Sequence, residues 1–137
     1  MFCDIVAGTA PSVAVAEDDT TYAFMDIHPA SDGHVLVVPK RHSRDLLDIP
    51  PDDMAAVALA SQRIAKAAVA EFGADGVNLL NCCGADAWQT VFHFHMHVSP
   101  RYVDKTRDRL TLPWTPGTPA NRDTMVSLGR RLSDALS

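Results

Sequence analysis

The stretch that most limits how this chain can fold is HFHMHV, residues 93–98, within "WQTVFHFHMHVSP". Histidines and apolar residues alternate without a break. Side chains on a strand alternate between its faces, so a period of two predicts a strand, here from residue 89 or 90 to 99. His93, His95 and His97 then share one exposed face, with neighbours roughly 6.5–7 Å apart. Phe92, Phe94, Met96 and Val98 share the other and can enter a core. One half of the pattern anchors the strand, and the other half is a row of imidazoles.

The rest of the chain must cover that strand. Its 137 residues allow one compact domain with a single core. "VAVAEDDTTYAFMDI" reads as strand, polar turn and strand, and the valine-rich "HVLVVPK" as a buried strand ended by Pro39. "HPASDG" between them is loop chemistry. A helix starts among residues 50–53 and runs through the alanine-rich segment 54–72, carrying Met54, Val57, Ile64 and Phe72, to stop before Gly73. "GVNLLN" is a further strand and "CCGADA" a loop. "TLPWTPGTP" should be irregular, with three prolines. Asn121 or Asp123 caps a last helix over 124–136, with Met125, Leu128, Leu132 and Leu136 on one stripe. This order predicts an α+β domain with an antiparallel sheet.

Charge narrows the partners. A net charge of -5 argues against a broad nucleic-acid surface, although a pocket for one nucleotide needs only a few local donors. Three cysteines, Cys3, Cys82 and Cys83, make a poor disulfide framework and predict a reducing cytoplasm. The opening "MFCDIVAGTAP" lacks the basic start of a signal peptide, and no apolar run is long enough to span a membrane.

Three chemistries suit the imidazole row. Histidine is a common metal ligand, but this strand carries no supporting carboxylate, and three histidines along a straight strand reach too far to close on one ion. In phosphate chemistry, one imidazole attacks phosphorus while the others orient it and manage protons. In a binding module, the imidazoles only hold an anion. The second route needs donors to phosphate oxygens, which Gln89, Thr90, Asn81 and the amides of "NCCGADA" could supply.

Taken together, "FCDIVAG", "EDD", "AFMDIHP", "HVLVVPKRH", "GVNLLN" and "QTVFHFHMHVSPR" resemble, in order and spacing, the segments of the histidine triad (HIT) family over residues 2–101. The resemblance implies a HIT-like α+β fold with a five-stranded antiparallel sheet. The sheets of two copies would join across a homodimer. Residues 1–101 would form the domain core. Residues 102–137 would form an irregular segment and a helix packing on the core or on the dimer partner. The resemblance also implies hydrolysis or transfer at the α-phosphorus of a purine nucleotide of AMP type, with no catalytic metal. His95 would be the nucleophile and form a nucleotidyl-histidine intermediate. His97 would contact phosphate and leaving group, His93 would support His95, and His34 would be the fourth pocket histidine. Thr90 would bond phosphate or the leaving atom, and Gln89 and Asn81 would contact phosphate. Asp26 would hold the ribose hydroxyls, and Ile27, Phe24, Phe2 and Ile5 would wall the base. "PKRH" and "DIHP" look closest to the phosphoramidase branch of histidine triad nucleotide-binding proteins. The alternatives are a dinucleoside polyphosphate hydrolase and a nucleotide-binding protein with little turnover.

Two departures from the family pattern bear on the site. Trp88 stands where many relatives have glycine, and the loop "NCCGADAW" is one residue longer than the common form. Some relatives hold a structural zinc on an N-terminal Cys-x-x-Cys and two histidines. Here Cys3 and His42 match part of that set, so no tight structural zinc is expected.

Overall fold

The computed structural model describes residues 1–111, 114 and 116–137; Leu112, Pro113 and Thr115, inside the proline-rich stretch, lie outside it. The chain forms α1 (Phe2–Ala7), β1 (Ala14–Glu17), β2 (Thr21–Met25), β3 (Val35–Pro39), α2 (Pro51–Phe72), β4 (Gly76–Leu80), β5 (Met96–Arg101) and α3 (Arg122–Leu136). The strands make one antiparallel sheet in the order β1-β2-β3-β5-β4. This is the α+β architecture read from the order of the elements.

Strand alternation decides what each face of the sheet carries. Ala23, Val35, Val37, Met96 and Val98 point to α2 and pack with its Val57, Ala60 and Ile64. The residues between them, Phe24, Leu36 and Val38, point the other way and pack under Phe2 of α1. Register aligns Phe24 with Leu36, and Leu36 with His97, so all three lie on the α1 face. The short α1, which ends at Gly8 in a left-handed turn (φ 78), had no counterpart in the periodicity.

Two expectations are corrected. The histidine-bearing strand begins at Met96 and not at 89 or 90. Continuing the β3–β5 register would set Pro39 opposite Phe94, and proline has no N–H to extend the ladder. Phe94 N–H instead donates to the Ser43 carbonyl at 2.7 Å. Phe94, Met96 and Val98 are buried as expected, but Phe92, upstream of this turn, is 48% exposed. The last helix forms, with Asn121 accepting the Thr124 N–H, and in the single chain α3 buries none of its residues.

Beyond β5 the chain is tied back to the loop before β3. Asp108, fully buried, accepts from Arg101 Nε at 2.8 Å and from Tyr102 N–H at 3.0 Å. The Tyr102 hydroxyl donates to the Asp32 carbonyl at 2.7 Å, beside Gly33 and His34. Among the described residues, no helix is long and apolar enough to cross a membrane.

Candidate active site

The histidines are not on an open face. His34, His93 and His95 are buried and His97 is partly so; Phe2 of α1 closes over two of them, with its ring 5.2 Å from His95 and 6.1 Å from His93. Although β5 starts between them, His95 and His97 keep to one side, their rings 5.0 Å apart.

Hydrogen bonds assign the tautomers. Ala30 N–H donates to His34 Nδ1 at 3.0 Å, so His34 carries its proton on Nε2. That nitrogen lies 2.9 Å from His97 Nδ1 and donates to it, which leaves His97 protonated on Nε2. His95 Nδ1 lies 2.8 Å from the His93 carbonyl and must donate there, so the free lone pair of His95 is on Nε2. His93 Nε2 donates to the Pro39 carbonyl at 3.0 Å. Burial pushes all four imidazoles below their ordinary pKa of 6.5. His97 falls furthest, to about 4, because His95 and His34 add their repulsion to the burial. The cluster is therefore neutral near pH 7, with one lone pair and one N–H free for chemistry.

The His95 and His97 rings border a cleft of about 440 Å³. Phe2, Ile5, Phe24 and Ile27 supply its apolar wall, and Asp26, Thr90, His95 and His97 its polar end. Ile27 is 81% exposed and stands at the rim, whereas Phe24 is mostly core. Asp26 Oδ1 accepts the His28 N–H at 2.8 Å, and Oδ2 stands 3.6 Å from His34 Nε2. Leu36 and Val91 also line this cleft and were not singled out in the sequence. The two-residue period from His34 could have flagged Leu36.

Two residues expected at phosphate do other work. Gln89 is buried: Oε1 accepts the Gly84 N–H, and Nε2 donates to the carbonyls of Arg44 and Val91. Its side chain braces the loop and does not line the cleft. Asn81 Nδ2 donates to the His95 carbonyl at 3.0 Å, and its Oδ1 is buried with no partner among the described residues. Asn81 thus holds the backbone of His95. Trp88, at the loop's end, has φ 71, a left-handed conformation suited to glycine. Its ring lines a second cavity of about 450 Å³ together with Leu79, Leu80, His97, Leu110 and Trp114.

A separate group meets behind His93. Cys3 Sγ lies 3.4 Å from His42 Nδ1 and 3.4 Å from His93 Nδ1, and the two nitrogens are 3.2 Å apart.

Comparison with known proteins gives a consistent result. The family model described as "HIT domain" matches residues 7–104. An uncharacterised HIT-like protein of Mycobacterium tuberculosis is 41% identical over 138 residues, covering 100% of this chain and 92% of that protein. The adenylylsulfatase of Arabidopsis thaliana is 40% identical over 110 residues, covering 80% of this chain and 54% of that protein. A HIT family crystal structure from Bacillus subtilis superposes with a TM-score of 0.90 at 33% identity, covering 100% and 96% of the two chains. A histidine triad nucleotide-binding protein from Candida albicans superposes with a TM-score of 0.85 at 31% identity, covering 98% and 95%.

Proposed function

Because this chain belongs to the HIT domain family, we propose that it is a nucleotide hydrolase or nucleotidyl transferase working at an α-phosphorus through His95. The favoured substrate is a purine nucleoside phosphoramidate. One observation carries the reading. His95 has its Nδ1 proton held by the His93 carbonyl, and this leaves Nε2 as a free nucleophile beside an apolar cleft.

The steps follow from the tautomers. Nε2 of His95 attacks the α-phosphorus, a phosphorus–nitrogen bond forms, and the bond to the leaving group breaks. His97 Nε2–H hydrogen-bonds to the departing atom, which takes its proton from solvent water, and His34 behind it steadies the ring. Water then attacks the nucleotidyl-histidine, the bond from phosphorus to His95 Nε2 breaks, the water's proton passes to solvent, and a nucleoside monophosphate leaves. Thr90 at the cleft donates to phosphate oxygen, and Asp26 accepts from the ribose hydroxyls. The base lies against Phe2, Ile5, Phe24 and Ile27.

The second cavity favours a second reading, cleavage of dinucleoside polyphosphates. It borders His34 and His97 and offers space for a bulky leaving group. The adenylylsulfatase relative also supports work at a nucleotide α-phosphorus. The protein acts as a homodimer, with the β4 edge and the bare stripe of α3 available to a second copy. Its three free thiols fit a reducing cytoplasm.

Intact-protein mass spectrometry, quenched soon after mixing with adenosine phosphoramidate or a dinucleoside polyphosphate, tests the proposal. A transient nucleotidyl adduct on His95, absent from His95→Ala and His95→Gly, is expected, and the faster substrate chooses the branch. Tight AMP binding with no adduct and no product would make the protein a binding module.

A further inference from the structure

The cleft beside His95 has an apolar wall, and such a wall chooses only weakly between flat rings of similar size. A sharper choice of base has to come from a polar group set into it. Thr90, His95 and His97 face phosphate in the function proposed above, and Asp26 faces the ribose. That leaves Ser12 and His28 among the described polar side chains at the cleft. His28 is exposed, where water competes for its ring; Ser12 is half-buried.

Ser12 is held from behind. Its Oγ lies 3.0 Å from the Tyr22 hydroxyl. The Tyr22 ring lies 5.9 Å from Phe24, and Phe24 meets Phe2 edge-on at 5.3 Å, so the hydroxyl pair is attached to the aromatic wall. Two hydroxyls bring two hydrogens, and the bond between them uses one. The phenol is the stronger acid, so Tyr22 donates and Ser12 accepts. Tyr22 does not border the cleft, whereas Ser12 does and keeps a free O–H there. Having accepted one hydrogen bond, that O–H donates more strongly. Along β2 and its extension, Tyr22 and Asp26 lie two residues to either side of Phe24. A base stacked on Phe24, with its sugar at Asp26, turns its far edge toward the Ser12–Tyr22 pair. The two rings of a purine reach further in that direction than the single ring of a pyrimidine.

We infer that Ser12 selects the base: its hydroxyl donates to an acceptor on the purine edge, and Tyr22 is the positioning residue that holds it. This role of Ser12 rests on the nucleotide reading of the cleft given above.

The test is NMR titration of the full chain, which reads weak as well as tight binding, with AMP, GMP, CMP, UMP and ribose 5-phosphate. The native chain should bind the purine nucleotides more tightly than the pyrimidine ones. Ser12→Ala should weaken AMP and GMP about five- to tenfold, the worth of one hydrogen bond, and narrow the gap to CMP and UMP by the same factor. Its affinity for ribose 5-phosphate, which has no base, should not move. Ser12→Thr, which keeps a hydroxyl, should restore the purine preference. Tyr22→Phe, which keeps the ring, should weaken AMP by less than Ser12→Ala does and again spare ribose 5-phosphate. Far-ultraviolet circular dichroism and urea unfolding establish that each variant folds. Unchanged AMP affinity in Ser12→Ala overturns the inference. So does an equal loss for AMP and ribose 5-phosphate, which would make Ser12 a general support of the cleft. Nucleotide binding with a base ranking indifferent to Ser12 overturns this role alone. A native chain that binds none of the five ligands overturns the nucleotide reading and the role of Ser12 with it.

Discussion

At the residue scale, the histidines owe their chemistry to burial. A His97 held near pKa 4 in the folded state binds fewer protons than its unfolded counterpart between pH 6.5 and 4. Stability therefore rises with pH across that window and is lost as the pH falls through it, by at most on the order of 3 kcal/mol for a shift of this size. Calorimetry should show Tm falling between pH 6.5 and 4, and His97→Asn should flatten that fall. Ring nitrogen shifts of His97 in NMR should stay those of a neutral imidazole down to pH 5. Trp88 is the second residue with an account of its own. A bulky side chain at φ 71 carries roughly 1–2 kcal/mol of backbone strain, and its ring is 61% exposed, so little packing offsets it. Trp88→Gly should raise stability by about 1 kcal/mol in chemical denaturation. It should also weaken any preference for bulky leaving groups, read from relative kcat/KM.

At the element scale, α2 and the turn before β3 support each other. Gly33 has φ 84, and a Cβ built there would lie 2.6 Å from the Phe72 ring at the end of α2. Gly33→Ala combines a disfavoured backbone with a clash and should cost about 2–3 kcal/mol, measured by urea unfolding. Activity should fall further than stability, because His34 follows directly. The apolar stripe of α3 has the opposite character: Leu128 and Leu132 are 50% and 67% exposed. Leu128→Asp with Leu132→Asp should leave urea stability of the single chain within about 0.5 kcal/mol. In sedimentation, the same pair should shift the proposed homodimer toward monomer.

At the scale of the whole molecule, what could be read from the sequence follows the range of the interactions. The strands, α2 and its stop at Gly73 were legible because periodicity and capping act over a few residues. The helix at the N-terminus was not, since six residues carry too little period. The histidines could be placed together, but the true start of β5 depends on Pro39, a residue of another strand. The sequence also left open that Gln89 and Asn81 turn inward, because their partners Arg44 and His95 are chosen only by the folded loop.

The strand order has a consequence in time. His34 meets His97 across 63 positions, and Cys3 meets His93 across 90. No short segment of the chain holds the chemistry, and loops of that length close slowly compared with helix formation. During refolding from urea, the far-ultraviolet signal of α2 should run ahead. AMP binding should return only with the slowest phase, when β3 and β5 pair. On the proposed function, a newly made chain is inert until it is whole, and the return of turnover serves as the clock of its folding.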